Sequence, residues 1–307
     1  MQFRTLCVSA AASVALAFSG ACSAQQASST DVPPTDAASA NAASGPALWR
    51  IADDDTTIYL FGTVHVLPEG VDWFDGRIES AFDASDEFIT EVGLDDMEGM
   101  QQVIGEKAML QGEETLRELM TEENRAQYEA ALGNFGIPPQ TFDQMEPWMA
   151  AMTLSVLPLQ ASGYTPETGV ELSLNGRASE KTKGSLETVE EQIGLFDTLP
   201  MEAQLTFLDE TVEAIPDTAT MIKTMVAEWL EGDADALALL MNEEMDDPAL
   251  YQRLLTDRNA NWAEWIDQRM ASPGTVFMAV GAGHLAGAGS VQEMLKERGY
   301  EVGRVSE

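Results

Sequence analysis

A chain of 307 residues with 45% hydrophobic content has room for one large or two small domains around a sizeable core. Its 52 acidic against 16 basic residues give a formal charge of -36, a field that repels phosphate backbones and anionic lipid surfaces and excludes nucleic acid as a partner. The acids are spread along helical stretches rather than bunched at ligand spacings, which reads as a solvated exterior.

The N-terminus, "MQFRTLCVSAAASVALAFSGACSA", has one early positive charge at Arg4, an apolar stretch from Leu6 to Phe18 and then small residues. That is the layout of a secretory signal peptide over residues 1–22. "SGA" before Cys22 makes a lipobox-like end, with Ser19 where Leu is usual, in which Cys22 would become the lipidated first residue. Plain cleavage after Ala21 or Ala24 is the alternative, and either way the chain is expected to be exported, as a periplasmic protein or a membrane-tethered lipoprotein. Both cysteines, Cys7 and Cys22, lie in this leader, so the remainder has no disulfide, thiolate nucleophile or Cys-ligated metal. Beyond the leader no apolar run reaches the roughly 18 residues that a membrane-spanning helix needs. Residues 23–46, rich in Ala, Ser and Pro, read as a disordered linker, and the folded domain is expected over 47–307.

Order begins with two short apolar segments flanking "ADDD", a hairpin pattern. A helix is expected near Asp75, and "DEFITEVGL" reads as a strand with Glu91 near its end. From about Met97 to Ser272 apolar residues recur at spacings of three and four, which predicts a long helical insertion whose Met and Trp stripes are core. One break, "KGSLETVEE", predicts a strand ending at Glu187. The tail returns to a strand in "TVFMAVGA", a helix closed by Gly299, and a final strand in "YEVGRV". The fold class is therefore α/β, with a mixed sheet built from N- and C-terminal strands and a large helical insertion.

The chain has two histidines, and both follow an apolar run in the frame Gly-x-x-His: Gly62 to His65 and Gly281 to His284. With Gly at 24 of 307 positions, chance places both in that frame roughly 0.6% of the time. A dinucleotide-binding reading of "GAGHLA" fails, because an acidic residue about 20 positions on would be the C-terminal Glu307 and only one strand remains. A purely structural pair of strand-end histidines is one reading. The other makes His65 and His284 partners in an active site, with Glu91 as the carboxylate of a facial triad that holds a divalent ion and leaves positions open for water.

"LWRI", "IYLFGTVHVLP", "FITEV", "LETVEEQIGLFDTLPMEAQLTFL", "DRNANWAEWI" and "VFMAVGAGHLAGAGSVQEMLKERGYEVGRV" together resemble the TraB/GumN family, relatives of the Tiki membrane-anchored metalloproteases. The resemblance places His65 and His284 in the family's two Gly-x-x-His motifs, Glu91 at its acidic position, and Arg258 with Asn259 on its Arg-Asn helix. It implies a hydrolase-like site: a metal-dependent peptidase by the Tiki branch, or a metal-free His-dependent hydrolase by the erythromycin esterase-like branch. A non-catalytic envelope binding protein is the third reading. On this resemblance His65, Glu91 and His284 hold Mn, Co or Zn, or one His acts as base. Arg258 steadies an oxyanion or a substrate carboxylate, with a salt bridge to a nearby acid as its alternative. Glu187 is a weaker candidate, with helix capping or surface exposure as its alternative. The expected partner is a peptide or small-molecule substrate.

Overall fold

Residues 45–242 and 248–306 are described in the computed structural model; the expected signal peptide and lipobox, and residues 23–44 of the expected linker, lie outside them. β1 (Leu48–Ala52) and β2 (Thr56–Thr63) form the expected hairpin, Ile51 opposite Ile58. The Asp53 carboxylate closes its turn by accepting from the Asp55 and Thr56 amides at 3.1 and 2.8 Å. A short β3 (Leu67–Pro68) precedes α1 (Gly76–Asp83), whose N-cap Asp75 accepts from the Arg77 and Ile78 amides. β4 (Glu87–Val92) then runs back along the sheet.

The insertion opens with α2 (Met97–Lys107), α3 (Leu116–Leu119), α4 (Glu122–Asn134) and α5 (Pro147–Ala161). β5 (Tyr164–Thr165) pairs with β3, and α6 (Val170–Arg177) follows. β6 (Thr182–Glu187) is the strand expected to end at Glu187. It ends there because Thr188 opens a capping box with Glu191 that starts α7 (Val189–Asp197). α8 (Met201–Glu231), α9 (Ala234–Asn242), α10 (Pro248–Tyr251) and α11 (Asp257–Arg269) complete the insertion. β7 (Gly274–Gly281), α12 (Val291–Glu297) and β8 (Gly303–Arg304) close the chain. The expected last strand is thus cut to two residues, paired with Trp49 and Arg50 of β1, beyond which the Val305 amide donates to the Leu48 carbonyl at 2.8 Å.

The sheet order is β6-β4-β7-β2-β1-β8. β6, β4, β7 and β2 are parallel, and β1 is antiparallel to β2. The C-terminal strand β7 therefore sits between β2 and β4 instead of extending an edge. Its alternation sorts two cores. Phe277 and Ala279 join Phe61, Phe88 and the insertion's Trp148, Phe207 and Trp229 on one face. Val276, Met278 and Val280 pack with Ile58, Leu60, Ile89 and the helix residues Trp262, Ile266 and Leu295 on the other. A strand buried on both faces reads as a continuous apolar run, which is why "TVFMAVG" shows no polar alternation.

Candidate functional site

The register decides what meets. Across the parallel β2/β7 pair, Gly62 lies opposite Val280 and Thr63 opposite Gly281, so the two Gly-x-x-His motifs leave adjacent strands one residue out of step. Thr90 of β4 lies opposite Ala279 on the far side of β7, and Val92 lies opposite Glu187 of β6. His65, Glu91, His284 and Glu187 thus gather beyond the C-terminal ends of four parallel strands, the crevice where open α/β sheets hold ligands. The two motifs, far apart in the chain, are thus carried by paired strands.

Both motif glycines are there for close approach. A Cβ on Gly62 would stand 3.1 Å from the Ala282 Cα. One on Gly281 would stand 3.0 Å from Glu91 Oε1, 3.6 Å from His65 Nε2 and 3.7 Å from His284 Cδ2. Three candidate side chains therefore converge on a single backbone position that carries no side chain. The Trp229 indole of α8 pins this end of β2 by donating to the Gly62 carbonyl at 2.7 Å.

His65 is backed by a residue that the sequence reading missed. Its Nδ1 lies 2.6 Å from Glu171 Oε1, and the Thr63 hydroxyl donates to the same oxygen. Glu171 comes from the first turn of α6, which docks onto the His65 loop: the Val170 amide donates to the Val64 carbonyl at 3.1 Å, and a Cβ on Gly169 would run into the His65 carbonyl. Burial opposes a charge on His65, but the Glu171 carboxylate outweighs it, with help from Glu91, and holds the ring's pKa above the ordinary 6.5.

Glu91 is clamped on both oxygens. Oε1 accepts from the Gly281 amide at 2.7 Å; Oε2 accepts from Arg258 Nη2 at 2.7 Å and Gln192 Nε2 at 2.9 Å. Burial would raise its pKa, yet the Arg258 guanidinium prevails and brings it down to about 2.

Arg258 spends its whole fork on protein. Nε and Nη2 grip Glu187 at 2.7 and 2.9 Å, Nη2 also donates to Glu91, and Nη1 donates to the Leu254 carbonyl at 3.1 Å and His284 Nε2 at 3.0 Å. That accounts for five donors, the full complement of a guanidinium. The Leu254 carbonyl lies within a π-helical turn, Gln252–Thr256, just ahead of α11, where the helical ladder is locally respaced. Arg258 is therefore in the salt bridge carried as its alternative, with no N–H left to meet an oxyanion. Glu187 is neither cap nor surface: it holds Arg258 and accepts from Trp262 Nε1 at 3.0 Å.

His284, in the turn Ala282–Leu285, is set differently. Asn259 donates from Nδ2 to the Gly289 carbonyl at 2.9 Å, which leaves its Oδ1 facing His284 Nδ1 at 2.6 Å. Nδ1 therefore carries the proton, and the Nε2 lone pair faces Arg258. The Trp262 ring lies 4.2 Å from the imidazole, centroid to centroid. Burial, then Arg258, pushes the His284 pKa down to about 3.

The proposed ion set can be tested against this arrangement. Both rings have Nδ1 occupied and Nε2 turned inward, the dressing of metal-bound histidines. However, His284 Nε2 and Glu91 Oε2 already face the Arg258 guanidinium. A divalent ion on all three donors would sit against that fixed cation, so His65, Glu91 and His284 do not fit an ion while Arg258 stands where it does. Among the described residues no group of three His, Cys, Asp or Glu is arranged to hold a metal. What does fit beside His65 is a cavity of about 20 Å³ lined by His65, Glu91, Glu171, Gln192 and Thr90, space for about one water.

Glu171, Gln192 and Trp262 were not singled out in the sequence. Their signal was present but faint: Glu171 is a charged residue between Val170 and Leu174, both buried, on the inner face of a short helix.

Fold and site together define an α/β protein with a buried imidazole, carboxylate and guanidinium cluster at the carboxyl ends of its parallel strands. The chain belongs to the TraB/PrgY/gumN family, whose model matches residues 47–304. It is 29% identical to the uncharacterized protein YbaP of Escherichia coli (strain K12) over 185 residues, 60% of this chain and 69% of that protein. It is 23% identical to an uncharacterized protein of Treponema pallidum (strain Nichols) over 267 residues, 81% of this chain and 80% of that protein. No solved structure matches it.

Proposed function

We propose that the chain is a hydrolase in which His65 is the general base toward a water in the adjoining cavity, acting on a peptide or a small-molecule ester. The observation that carries this reading is the setting of one ring. His65 Nδ1 is occupied by Glu171, while its Nε2 lies near the Gly281 position beside Glu91 Oε1, at a space of one water's size. In the step, the water proton passes to Nε2 as the water oxygen bonds to the carbonyl carbon; the bond from that carbon to the leaving nitrogen or oxygen then breaks, and the imidazolium returns the proton to the departing atom. Glu171 stabilises the imidazolium between those events. Glu91, with its pKa brought down to about 2, is a poor base and serves as a fixed negative charge that orients the water. Arg258 holds Glu91 ionised and His284 neutral, and no step runs through an ion.

The test is turnover by the purified chain against fluorogenic peptide and ester libraries, with metal content measured on the same preparation. The reading expects hydrolysis that survives chelation and falls by about 10²-fold or more in His65→Gln. Bound metal near one per chain, lost in His65→Ala together with activity, would replace it by the metallopeptidase reading. No turnover of any substrate would leave the envelope binding protein.

We also propose that the chain is exported and tethered through Cys22. The small residues of "SGA" before Cys22 motivate this reading, and a lipid on Cys22 would be the anchor. Labelling with a fatty-acid analogue should mark the wild type and miss Cys22→Ala; an unlabelled wild type released in soluble form would end this proposal.

A further inference from the structure

The two imidazoles share a sequence frame but differ in what backs them, and the difference lies in a residue more than a hundred positions from His65. Glu171 is only 5% exposed. Its Oε1 accepts from the Thr63 hydroxyl and stands 2.6 Å from His65 Nδ1 as an ion pair, whereas Oε2 is buried with no hydrogen-bond partner among the described residues. A carboxylate offers about four acceptor sites, so this one has been desolvated for little return if its work is structural. As the acidic residue in the first turn of α6 it would help the helix dipole just as well from the surface. Instead it is turned inward, against a ring nitrogen, on the wall of the water-sized cavity that also borders Glu91.

From this we infer that Glu171 is a positioning residue for His65: it fixes the tautomer that carries the proton on Nδ1 and presents the Nε2 lone pair to the cavity and Glu91. The alternative tautomer would place a proton on Nε2 and leave a lone pair pointing at a carboxylate, two acceptors face to face. Glu91 competes less well for a proton on Nε2, since three of its roughly four acceptor sites are taken by Gly281, Arg258 and Gln192. The catalytic meaning of the assignment rests on the hydrolase reading, because only the Nε2 lone pair can take a proton from a water in that cavity. The tautomer itself can be measured without any substrate.

The chain has two histidines, so ¹⁵N-histidine labelling of the full protein gives two sets of ring nitrogens, assigned with His65→Gln. In the wild type above the titration of His65, its Nδ1 should show the protonated signature and its Nε2 the lone-pair signature. Glu171→Leu should shift the tautomer ratio at His65 by about tenfold or more toward Nε2–H, with the His284 resonances unmoved as the internal sign of an intact fold. A folded Glu171→Leu protein that keeps His65 in the Nδ1–H form would overturn the assignment. If that variant does not fold, Glu171→Gln decides. It keeps an acceptor for Nδ1 and loses only the charge, so the tautomer should persist while the His65 titration midpoint falls by about a unit or more. An unmoved midpoint would reduce Glu171 to a structural residue. Failure to find any hydrolysed substrate would count against the hydrolase and leave these resonances as they are.

Discussion

The motif ending at His65 and the motif ending at His284 leave neighbouring parallel strands in nearly the same register, yet their rings have opposite electrostatics. His65 has a carboxylate behind it and its pKa is raised; His284 has an amide behind it, a guanidinium in front, and a pKa near 3. A matched local frame delivers two imidazoles to one place but does not assign them one task. The groups that touch each ring do: Glu171 suits His65 to take a proton, and Asn259 with Arg258 keeps His284 neutral. The following experiments would break that division or make it sharper.

The largest effect belongs to Arg258, which stands between Glu91, Glu187 and His284. Arg258→Leu leaves two buried carboxylates without their cation, and unfolding free energy should fall by roughly 3–5 kcal/mol in urea titrations. In any folded fraction the His284 pKa should rise, since a cation that depressed it has gone. A stability loss under about 1 kcal/mol would mean that the guanidinium clamp is not what holds the site together.

The pH dependence separates the rings by sign. His284 is depressed when folded, so the stability it contributes is complete above its unfolded value of 6.5 and is lost as pH falls through that value toward 3. His65 is raised, so its contribution is present below 6.5 and is lost as pH rises through the folded pKa. Glu91 adds to the acid side only below its ordinary 4.5. Between pH 6 and 4.5 the wild type should therefore lose roughly 1.4 kcal/mol per pH unit through His284 alone. His284→Gln should flatten that window. A slope unchanged in the variant would show that His284 is charged in the folded protein.

Asn259→Asp asks whether the difference can be exchanged. A carboxylate on His284 Nδ1 would give this ring the partner that His65 has, and its titration should move up by one unit or more from about 3 when followed by ring ¹⁵N shifts. If the midpoint stays in place, burial and Arg258 decide the state of His284 and the residue behind it is incidental.

Thr63→Val is the mildest probe. It removes the hydroxyl that shares Glu171 with His65 and keeps the β-branched shape of the strand. The expected cost is about 1–2 kcal/mol in thermal or urea unfolding, with His65 alone perturbed in the histidine spectrum. A shift confined to His284 would contradict the separation of the two surroundings.

Much of this was legible in the residues. The Asp-rich turn announced the hairpin, the break "KGSLETVEE" announced a strand ending at Glu187, and the apolar run before Gly281 announced another strand. The paired Gly-x-x-His frame singled out both rings, and the strand pattern of "DEFITEVGL" placed Glu91 near a strand end. The role of Arg258 was legible only as an alternative and that of Glu187 not at all beyond its candidacy, because a guanidinium and a carboxylate declare their partners through distance. Glu171, Gln192 and Trp262 were hidden for the same reason: on short or amphipathic helices, one inward polar residue among buried apolar neighbours leaves hardly any periodic trace.

The sequence by itself determined the local events: where turns fall, which residues cap helices, which runs are buried, and that both histidines follow a strand after a glycine. Those depend on interactions within a few residues, which composition and spacing encode directly. Only the tertiary structure decided that β7 enters between β2 and β4, and with that which carboxylate meets which imidazole. Strand insertion brings together Glu91, Glu171, Arg258 and His284 across long stretches of chain, and the charge state of each is set by burial and by neighbours at 2.6 to 3.0 Å. Coulombic and hydrogen-bond energies at that range depend on fractions of an ångström, a quantity that exists only once the chain has folded.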